Sequence, residues 1–393
     1  MINILFLHAG AEMYGADKVM LDLIKNLDKN KYNPYVILPN NGVLVDLLKK
    51  ESIKVEVIPY PIMRRKYFNF KGIFNYGCNL IKYSRKLAEM AKKENINIVH
   101  TNTAAVLEGC YISKKLKIPQ LWDIHEIIVS PKIMFRITSK IISLFANKTV
   151  TVSEAAKRHL EESGYFKKNK IKVIYNGVDS NYFNPENKCD YLYDEWNIPH
   201  NAKIIGMIGR VNSWKGQEDF LKASNIIMSK DKSVYTVFVG GCFEGEEWRI
   251  DKLKQLIDKS PYKDRIVMGG YRTDTKFIHK LYDIFVLPSI NPDPLPTVVL
   301  EAMATGKPII GYKHGGICEM VKDGYNGFLA KVRDVKDLSE KINILLENDD
   351  LRKQMGQNSR NRMLEKFSIK SYINNYSNEY DKLFEKNGKG DKK

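Results

Sequence analysis

Short apolar runs alternate with amphipathic stretches along the whole chain. The runs are typical of buried strands, and apolar residues spaced three and four apart, as in residues 17–27 and 155–164, are typical of helices. Strands that alternate with helices predict parallel, doubly wound α/β sheets. The predicted strands are 3–8, 35–39, 55–59, 96–100, 119–124, 148–153 and 171–177, and then 203–210, 234–241, 265–270, 284–289, 308–312 and 327–331.

A polar, turn-rich stretch at 184–190 separates the two series of strands. We therefore predict two Rossmann-like domains, residues 1–185 and 186–370, with a helix at about 371–386 that joins the first domain. Their sheets would face each other across a cleft. Ligands of such sheets bind outside the carboxyl ends of the strands, so the functional residues should lie in loops that follow strands.

The cysteines and the apolar stretches indicate the compartment in which the protein is found. The five cysteines include no C-x-x-C pair and are odd in number, which favours a reducing compartment over a disulfide or zinc framework. The first residues are typical of a buried strand rather than a signal peptide, and no uncharged apolar stretch reaches membrane-spanning length. We predict a cytoplasmic protein.

Positive charge is concentrated in the first half. Residues 1–188 hold 30 Lys and Arg against 17 Asp and Glu, whereas residues 189–393 hold 33 against 29. This asymmetry indicates an anionic partner of the first domain, either a membrane or a polyanion. The alternative, a generally Lys-rich proteome with solvated surfaces, explains the number of lysines but explains the asymmetry less well.

The stretch PDPLPTVVLEAMATGKPIIG at 292–311 combines a strand-end loop with a helix. Thr297 is a suitable N-cap and Gly306 a suitable stop. A helix start binds anions, and Glu301 lies about 6 Å further along the axis, one sugar's width from a diphosphate at the cap. Asp293 would lie on the other side of that diphosphate. The geometry suits a nucleotide sugar, and a capped helix with an incidental Glu is the alternative.

Two cations in GRVNSWKG support the interpretation of 292–311 as a nucleotide-sugar site. Arg210 and Lys215 follow a predicted strand and precede a helix, so both can reach the same diphosphate and neutralise charge on a leaving nucleotide. Ordinary surface cations are the alternative.

Taken together, these motifs resemble those of the large retaining glycosyltransferase family that includes sucrose synthases and bacterial mannosyltransferases. The matching stretches run in family order over nearly the whole chain, and HTNT and DIHE (100–103, 123–126) are similar to polysaccharide-assembly members. They are ADKVMLDL, VTVSEAAKRHL, VIYNGVDSNYFNP, MIGRVNSWKG, DIFVLPS and PDPLPTVVLEAMATGKPIIGYKHGGICEMVKDGYNGFL. The resemblance implies the GT-B fold and transfer of a hexosyl or N-acetylhexosaminyl group from a UDP or GDP sugar to a hydroxyl.

The resemblance also implies roles for individual residues. His125 and Asp293 would be catalytic, the first touching the donor sugar near the reacting carbon. Asp293 departs from the family, where this acid is usually Glu, and Pro296 stands where many members have Gly. The implied nucleotide-sugar-binding residues are Gly15, Arg210, Lys215, Tyr271, Arg272, Leu295, Pro296, Thr297, Val298 and Glu301, with Gly315 and Gly316 beside the donor.

The implied chemistry uses no cofactor and no metal. The sequence has neither metal-ligand histidine spacing nor Asp-x-Asp at a strand end, and Arg210, Lys215 and the helix dipole would act where Mg²⁺ acts elsewhere. Family members retain the anomeric configuration by front-face attack, which fits the lack of an obvious nucleophile and acid flanking the sugar.

Other functions are compatible with some of these features. A sugar-nucleotide epimerase or a phosphorylase has the same fold, and a basic nucleic-acid-binding protein is the alternative from another class. No G-x-G-x-x-G follows a strand, which disfavours a dinucleotide oxidoreductase, and no nucleic-acid-binding signature is present. We therefore predict no nucleic-acid partner.

Two basic and apolar stretches predict where the acceptor is found. Residues 62–93 contain nine Lys and Arg, many aromatics and one acid, Glu89, and residues 131–145 form a second such stretch. Aromatics beside cations are typical of segments that lie on an anionic membrane surface. We predict a peripheral protein on the inner face of the cell membrane with a lipid-linked or growing glycan acceptor.

Overall fold

The computed structural model describes residues 1–63, 67, 69–167 and 170–390, with no description of the side chains of 388–390. Arg64, Arg65, Lys66 and Phe68 of the predicted membrane-binding stretch lie outside the described residues. In the described part of the chain, no helix combines the length and apolar character needed to cross a bilayer.

The described residues divide into two compact units, one formed by those within 1–176 and 370–390 and the other by residues 177–369. The division falls at Asn176–Gly177, earlier than the predicted boundary at 185/186. Residues 177–185 belong to the second unit because Val178 pairs with the segment just before the last helix: its N–H donates to the carbonyl of Phe367 at 3.1 Å. The predicted helix at about 371–386 lies in the first unit.

The first unit contains a parallel sheet of seven strands in the order β3-β2-β1-β4-β5-β6-β7. The strand order reverses between β1 and β4, which are neighbours in the sheet. The strands are β1 (Ile2–His8), β2 (Tyr32–Leu38), β3 (Lys54–Val57), β4 (Ile98–Asn102), β5 (Gln120–Ile124), β6 (Lys148–Thr151) and β7 (Ile171–Val173). The helices are α1 (Gly15–Asn26), α2 (Val43–Lys50), α3 (Phe70–Lys93), α4 (Glu108–Leu116), α5 (Lys132–Phe145) and α6 (Glu154–Glu161), and α15 (Ile369–Gly390) follows the second unit.

The second unit contains a parallel sheet of six strands in the order β10-β9-β8-β11-β12-β13. Its strands are β8 (Lys203–Ile208), β9 (Val234–Val239), β10 (Ile266–Met268), β11 (Ile284–Leu287), β12 (Ile309–Tyr312) and β13 (Gly327–Ala330). Its helices are α7 (Asp190–Glu195), α8 (Gln217–Met228), α9 (Trp248–Asp258), α10 (Thr275–Leu281), α11 (Thr297–Ala304), α12 (Ile317–Met320), α13 (Val335–Leu346) and α14 (Asp349–Lys366). The prediction of two parallel α/β sheets is confirmed.

Both sheets have helices on their faces, so their central strands are buried along their length. Ile4, Leu5, Phe6 and Leu7 of β1 are all fully buried, as are the four residues of β11. A strand covered on both faces is a continuous apolar run rather than an alternating one. This is why the sequence marks these strands clearly.

The last helix completes the first unit on the face of the sheet that carries α1. Tyr372 donates its hydroxyl to the carbonyl of Val19 in α1 at 3.3 Å, and the Tyr380 ring lies edge-on to Phe6 of β1. Tyr372, Tyr376 and Tyr380 are fully buried. Because they are four residues apart, they form one stripe along the helix.

Candidate functional site

The site in the second unit begins where the strand order reverses. From β8 the chain builds the sheet toward β10, and from β11 it builds the sheet toward β13, so the loops after β8 and β11 diverge at a topological switch point. Arg210 and Lys215 lie in the first loop and Asp293 in the second. Ligands of open α/β sheets bind in this position.

The loop after β8 is shaped by its own sequence. The side chain of Asn212 accepts hydrogen bonds from the backbone N–H groups of Trp214 and Lys215 at 3.0 and 2.9 Å, which turns the chain. Gly216 then adopts φ +86°, and a Cβ there would lie 1.9 Å from the carbonyl oxygen of Pro288. Only glycine permits this approach, which brings Lys215 beside the loop after β11.

Lys215 and Asp293 form an ion pair, with both side chains largely buried. The predicted first acid and the predicted phosphate-binding cation are therefore direct partners. Arg210 lies nearby in the same loop, with its guanidinium 3.6 Å from the centre of the Phe243 ring. The side chain of Gln217 donates to the carbonyl of Arg210 at 2.8 Å and fixes its backbone.

The glycine pair after β12 holds the Asp293 loop in place. Gly316 donates its N–H to the carbonyl of Asp293 at 2.8 Å. Gly315 adopts φ +64°, and a Cβ on it would lie 2.6 Å from the same oxygen. Both glycines thus allow a close backbone contact that sets the position of Asp293.

The helix that follows this loop begins one residue earlier than predicted. Thr297 is the first residue of α11 and Pro296 is the N-cap, so the prediction of Thr297 as N-cap is wrong. Proline is suited to a helix start because it has no N–H to satisfy. The N–H groups of Thr297 and Val298 lie in the first turn and have no partner within the helix. They are available to an anion, and Leu295 before them is buried.

Glu301 lies one turn inside α11 and is 3% exposed. Its Oε2 is 3.2 Å from Nε2 of His279, a fully buried residue of α10. This arrangement excludes the alternative of an incidental surface Glu. The buried histidine was missed from the sequence because nothing near it follows a motif.

Tyr271 and Arg272 follow β10, at the edge of the sheet. Tyr271 is exposed, whereas Arg272 forms ion pairs with Glu195 and Asp274, with 2.7 Å between its Nη2 and Oδ2 of Asp274. The hydrogen bond from Arg272 lowers the pKa of Asp274 to about 2. The charged partners of Arg272 are therefore different residues from those of the Lys215–Asp293 ion pair.

The site in the first unit lies at the ends of β1, β4 and β5, which are adjacent strands. Gly15 is the first residue of α1, and Asp17 stabilises this helix start by accepting the N–H of Tyr14 at 2.9 Å. The other oxygen of Asp17 lies 2.5 Å from Nε2 of His8 at the end of β1. Nδ1 of His8 lies 2.9 Å from the side-chain nitrogen of Asn102 at the end of β4.

His125, after β5, joins the same network. Its Nε2 lies 2.9 Å from Oδ1 of Asn102 and 3.0 Å from Oδ2 of Asp123. Both partners are acceptors, so Nε2 carries a proton. Burial lowers the pKa of His125, but the charge and hydrogen bond of Asp123 outweigh burial and raise it above its ordinary value.

Asp123 is in turn held by the last helix. It is fully buried, and Oδ2 accepts the hydroxyl of Tyr376 at 2.5 Å. The neighbouring His100 lies 2.7 Å from the hydroxyl of Tyr380, and burial lowers the pKa of His100. Burial raises the pKa of Asp123, but His125 and His100 outweigh it and hold that pKa low.

The sequence analysis missed Asn102, Asp123 and Tyr376 as members of this site. HTNT contains Asn102, DIHE contains Asp123, and the regular spacing of the three tyrosines of α15 includes Tyr376.

The described residues contain no group of three or more His, Cys, Asp or Glu arranged to hold a metal ion. At the switch point they contain two cationic side chains and the N–H groups at the start of α11. Groups of this kind are suited to binding phosphate.

Comparison with known proteins identifies the family. Residues 192–362 match the family described as glycosyl transferases group 1, and residues 13–182 match glycosyltransferase family 4. The chain is a glycosyltransferase, and its second unit matches group 1 of these enzymes. These two matches cover strands β2 to β13 of this glycosyltransferase. The prediction that the chain is a glycosyltransferase is confirmed.

Two relatives match this glycosyltransferase over most of its length. One is the N,N'-diacetylbacillosaminyl-diphospho-undecaprenol alpha-1,3-N-acetylgalactosaminyltransferase of Campylobacter jejuni, 29% identical over 90% of this chain and 91% of that protein. The other is the UDP-Gal:alpha-D-GlcNAc-diphosphoundecaprenol alpha-1,3-galactosyltransferase of Escherichia coli, 26% identical over 90% of each chain.

A solved structure shares the fold of this glycosyltransferase. Anabaena HepE, solved in complex with UDP and glucose, superposes with a TM-score of 0.84 over 97% of this chain and 100% of that chain, at 24% identity. The glycosyltransferase therefore has the GT-B fold.

Proposed function

We propose that the protein is a retaining glycosyltransferase that moves a hexosyl or N-acetylhexosaminyl group from a UDP or GDP sugar to a hydroxyl of a lipid-linked or growing glycan acceptor. The observation that carries this proposal is the convergence at the switch point of the second unit. There, Arg210, Lys215 and Asp293 follow two neighbouring strands, and the start of α11 follows with Glu301 one turn inside.

The donor's diphosphate would bind at the start of α11. Its oxygens would accept hydrogen bonds from the N–H groups of Thr297 and Val298, and Arg210 and Lys215 would neutralise its charge. That charge grows as the bond to the sugar breaks, so fixed cations stabilise the transition state more than the bound donor. Glu301 would accept hydrogen bonds from the two hydroxyls of the ribose, because it lies one turn along the helix from the diphosphate.

Asp293 would face the donor sugar. Its ion pair with Lys215 implies that the diphosphate binds before Asp293 contacts the sugar. When a diphosphate arrives, Lys215 gains a second anionic partner. The carboxylate of Asp293 then shares Lys215 with the diphosphate. Its other oxygen can accept a hydrogen bond from a sugar hydroxyl. This accounts for Asp in place of Glu: the shorter side chain is already held beside the phosphate site.

The test is a screen of common UDP and GDP sugars for hydrolysis and for transfer to added acceptors. We expect one donor class to be consumed, with the product's anomeric configuration, assigned by NMR coupling constants, equal to that of the donor. An inverted product would disprove retention, and consumption that requires inorganic phosphate would identify a phosphorylase instead.

The acceptor is proposed from the relatives and from the surface of the first unit. Both relatives described above are named for acceptors in which a sugar is linked through diphosphate to undecaprenol. Such an acceptor is anchored in a membrane, so an enzyme that uses it must reach the bilayer surface.

Helices α3 and α5 offer such a surface. On α3, Phe70 and Phe74 are 98% and 75% exposed, and Ile73 and Ile81 lie on the same outward stripe. The outward stripe of α5 is formed by Ile133, Arg136, Ile137, Lys140 and Leu144. Both helices pack by their opposite faces on one core cluster around Trp122.

The charges of this surface match an anionic bilayer. The two helices contain Lys and Arg throughout, and Glu89 is their one acid. Apolar side chains that enter the headgroup region beside cations that meet lipid phosphate give reversible binding, with about 1 kcal/mol for each cation. We therefore propose that this surface binds the enzyme to the inner face of the cell membrane.

Co-sedimentation with vesicles tests the surface independently of activity. Binding to vesicles that contain anionic lipid should fall with salt and be lost when Phe74, Arg136 and Lys140 are replaced by Ser, Glu and Glu. The matched control replaces Lys252 and Lys254, exposed on α9 in the second unit, by Glu and should still bind. Protein that stays in the supernatant at low salt would exclude membrane docking.

A further inference from the structure

Phe243, in the loop after β9, is a large apolar side chain that is 41% exposed. Its ring lies against Arg210, with 3.6 Å between the ring centre and the guanidinium carbon. At this distance the two groups are in van der Waals contact, and arginine commonly stacks on aromatic rings in this way. The ring therefore covers one side of a cation that is proposed to bind the donor's diphosphate.

The backbone of the loop after β8 is bonded to the loop after β9 on both sides of Arg210. The N–H of Gly209 donates to the carbonyl of Val239 at 2.9 Å, and the N–H of Val211 donates to the carbonyl of Gly241 at 2.8 Å. Residues beyond the ends of β8 and β9 therefore continue the pairing of the two strands. These bonds fix the backbone from which the side chain of Arg210 projects.

The backbone at Phe243 is also fixed. Gly240, just before it, has φ +150°, and a Cβ on Gly240 would lie 2.0 Å from the carbonyl oxygen of Gly209, so only glycine permits this approach of the two loops. After Phe243 the chain turns, because Glu246 donates its N–H to the carbonyl of Phe243 at 2.9 Å. The ring of Phe243 thus projects from a loop that is tied to its neighbour on one side and closed by a turn on the other.

The contact holds Arg210 in a different way from the ion pair that holds Lys215. A carboxylate partner such as Asp293 binds the N–H donors of a cation and offsets its charge. A ring instead lies against the face of the guanidinium, whereas the N–H groups lie in the guanidinium plane. The ring therefore restricts the side chain without competing with a phosphate for its donors. An arginine that is restricted beforehand loses less entropy when it binds a ligand.

We propose that Phe243 is a positioning residue for the transfer reaction, and that it holds the guanidinium of Arg210 where the donor's diphosphate binds. This inference rests on the proposed function, in which Arg210 neutralises the diphosphate. The charge of the diphosphate grows as its bond to the sugar breaks, so a misplaced cation costs more in the transition state than in the bound donor. Loss of the ring should therefore lower kcat more than it changes the KM of the acceptor.

Steady-state kinetics of Phe243 variants tests this role with the donor found by the screen of nucleotide sugars. We expect Phe243→Leu to lower kcat about three- to thirtyfold, which is the range of a cation–π contact, with little change in the acceptor KM. Phe243→Tyr keeps the ring and should keep nearly all of the kcat. Phe243→Glu gives Arg210 an anionic partner that competes with the diphosphate, and should lower kcat further than Phe243→Leu does.

A matched control and a double-mutant cycle separate positioning from stability. Trp248→Leu removes a similar contact between two residues of α9, where the guanidinium carbon of Arg249 lies 4.3 Å from the centre of the Trp248 ring, and it should leave kcat unchanged. Phe243→Leu added to Arg210→Ala should cause no further loss of kcat, because the ring acts through Arg210. A ring that only stabilised the fold would lower kcat by the same factor with and without Arg210.

Four outcomes would overturn the inference while Arg210→Ala still shows its own loss of activity. They are wild-type kcat in Phe243→Leu, an equal loss in Trp248→Leu, equal losses in Phe243→Tyr and Phe243→Leu, and additive losses in the double variant. Wild-type kcat in Arg210→Ala would instead refute the proposed role of Arg210, and this inference with it. Thermal unfolding shows whether Phe243→Leu is folded, and comparison of Phe243→Tyr with Phe243→Glu decides if it is not.

Discussion

Lys215 and Asp293 form a largely buried ion pair that joins the loop after β8 to the loop after β11. The two loops are further linked by a backbone hydrogen bond of 2.7 Å from Ile290 to Trp214. The cation and the acid of the donor site are therefore one structural unit, and removing either side chain leaves the other without its partner. Effects of the two substitutions should not be additive.

The first prediction concerns the cations. Lys215→Ala and Arg210→Ala should each lower kcat by about 10²–10³-fold and change the acceptor KM much less, because charge on the diphosphate grows in the transition state. Steady-state kinetics with the donor found by the screen of nucleotide sugars measures this. Lys252→Ala, which removes a surface ion pair with Glu218, is the control and should leave kcat unchanged. An equal loss in the control would show a nonspecific charge effect.

The second prediction concerns Glu301. Glu301→Ala should weaken donor binding by about 1.5–3 kcal/mol, because a carboxylate that binds two ribose hydroxyls in a buried place is lost. Glu301→Gln keeps a hydrogen-bond acceptor for His279 and separates folding from binding: it should unfold near the wild-type temperature and still bind the donor poorly. Donor titration and thermal unfolding give the two readouts. Wild-type donor KM in both variants would refute the role of Glu301.

The third prediction separates two tyrosines of α15. Tyr376→Phe removes a hydrogen bond to the buried carboxylate of Asp123 and should lower the free energy of unfolding by about 1.5–3 kcal/mol. Tyr372→Phe removes a longer hydrogen bond to a backbone carbonyl and should cost about 0.5–1.5 kcal/mol. Because Asp123 positions His125, we expect the kcat to fall in Tyr376→Phe and not in Tyr372→Phe. Equal kcat in the two variants would show that Tyr376 only stabilises the fold.

The fourth prediction is a dependence of stability on pH. Glu108, at the start of α4, is fully buried, and burial raises its pKa from 4.5 to about 8. A carboxyl with a raised pKa binds its proton more tightly in the folded state. Its contribution is therefore full below pH 4.5 and falls by up to about 1.4 kcal/mol per pH unit until about pH 8.

Glu108→Gln has no such proton to lose. It should be less sensitive to pH than the wild type in this window, and more stable than the wild type at its upper end. Glu89→Gln, the same change on the exposed side of α3, is the control. Denaturant unfolding at pH 5 and pH 8 measures the difference, and parallel pH profiles of wild type and Glu108→Gln would contradict the prediction.

The fifth prediction concerns metals. Because Arg210, Lys215 and the start of α11 already neutralise a diphosphate, transfer should proceed at the same rate with EDTA as with Mg²⁺ or Mn²⁺. A strict requirement for a divalent ion would mean that the two cations have another role.

The sequence predicts strands well here because buried parallel strands are continuous apolar runs, and β1 differs from its predicted range by one residue, Ile2. The start of α11 was misplaced by one residue because Thr and Pro are both favourable at a helix start, and only backbone angles separate the cap from the first turn. The domain boundary was placed late because the pairing of Val178 with Phe367 joins residues far apart in the chain.

The positions of Lys215 and Asp293 in neighbouring loops followed from the sequence, but their direct contact did not. A contact of this kind depends on the turn at Asn212, on the approach of Gly216 to Pro288 and on the Gly315–Gly316 contact. The network of His125 shows the same limit. Its members come from β4, β5 and α15, and no local pattern relates Tyr376 to Asp123.

The place of α15 has a consequence for synthesis of the protein. Tyr376 is made about 200 residues after Asn176, which takes roughly 10–40 s at typical ribosomal rates. During that interval the second unit is made in full, while the first lacks the helix that covers Phe6, His100 and Val19. The nascent first unit therefore exposes apolar surface, and the carboxylate of Asp123 lacks its tyrosine partner, until α15 has been made. The unit that begins first is the one that finishes folding last.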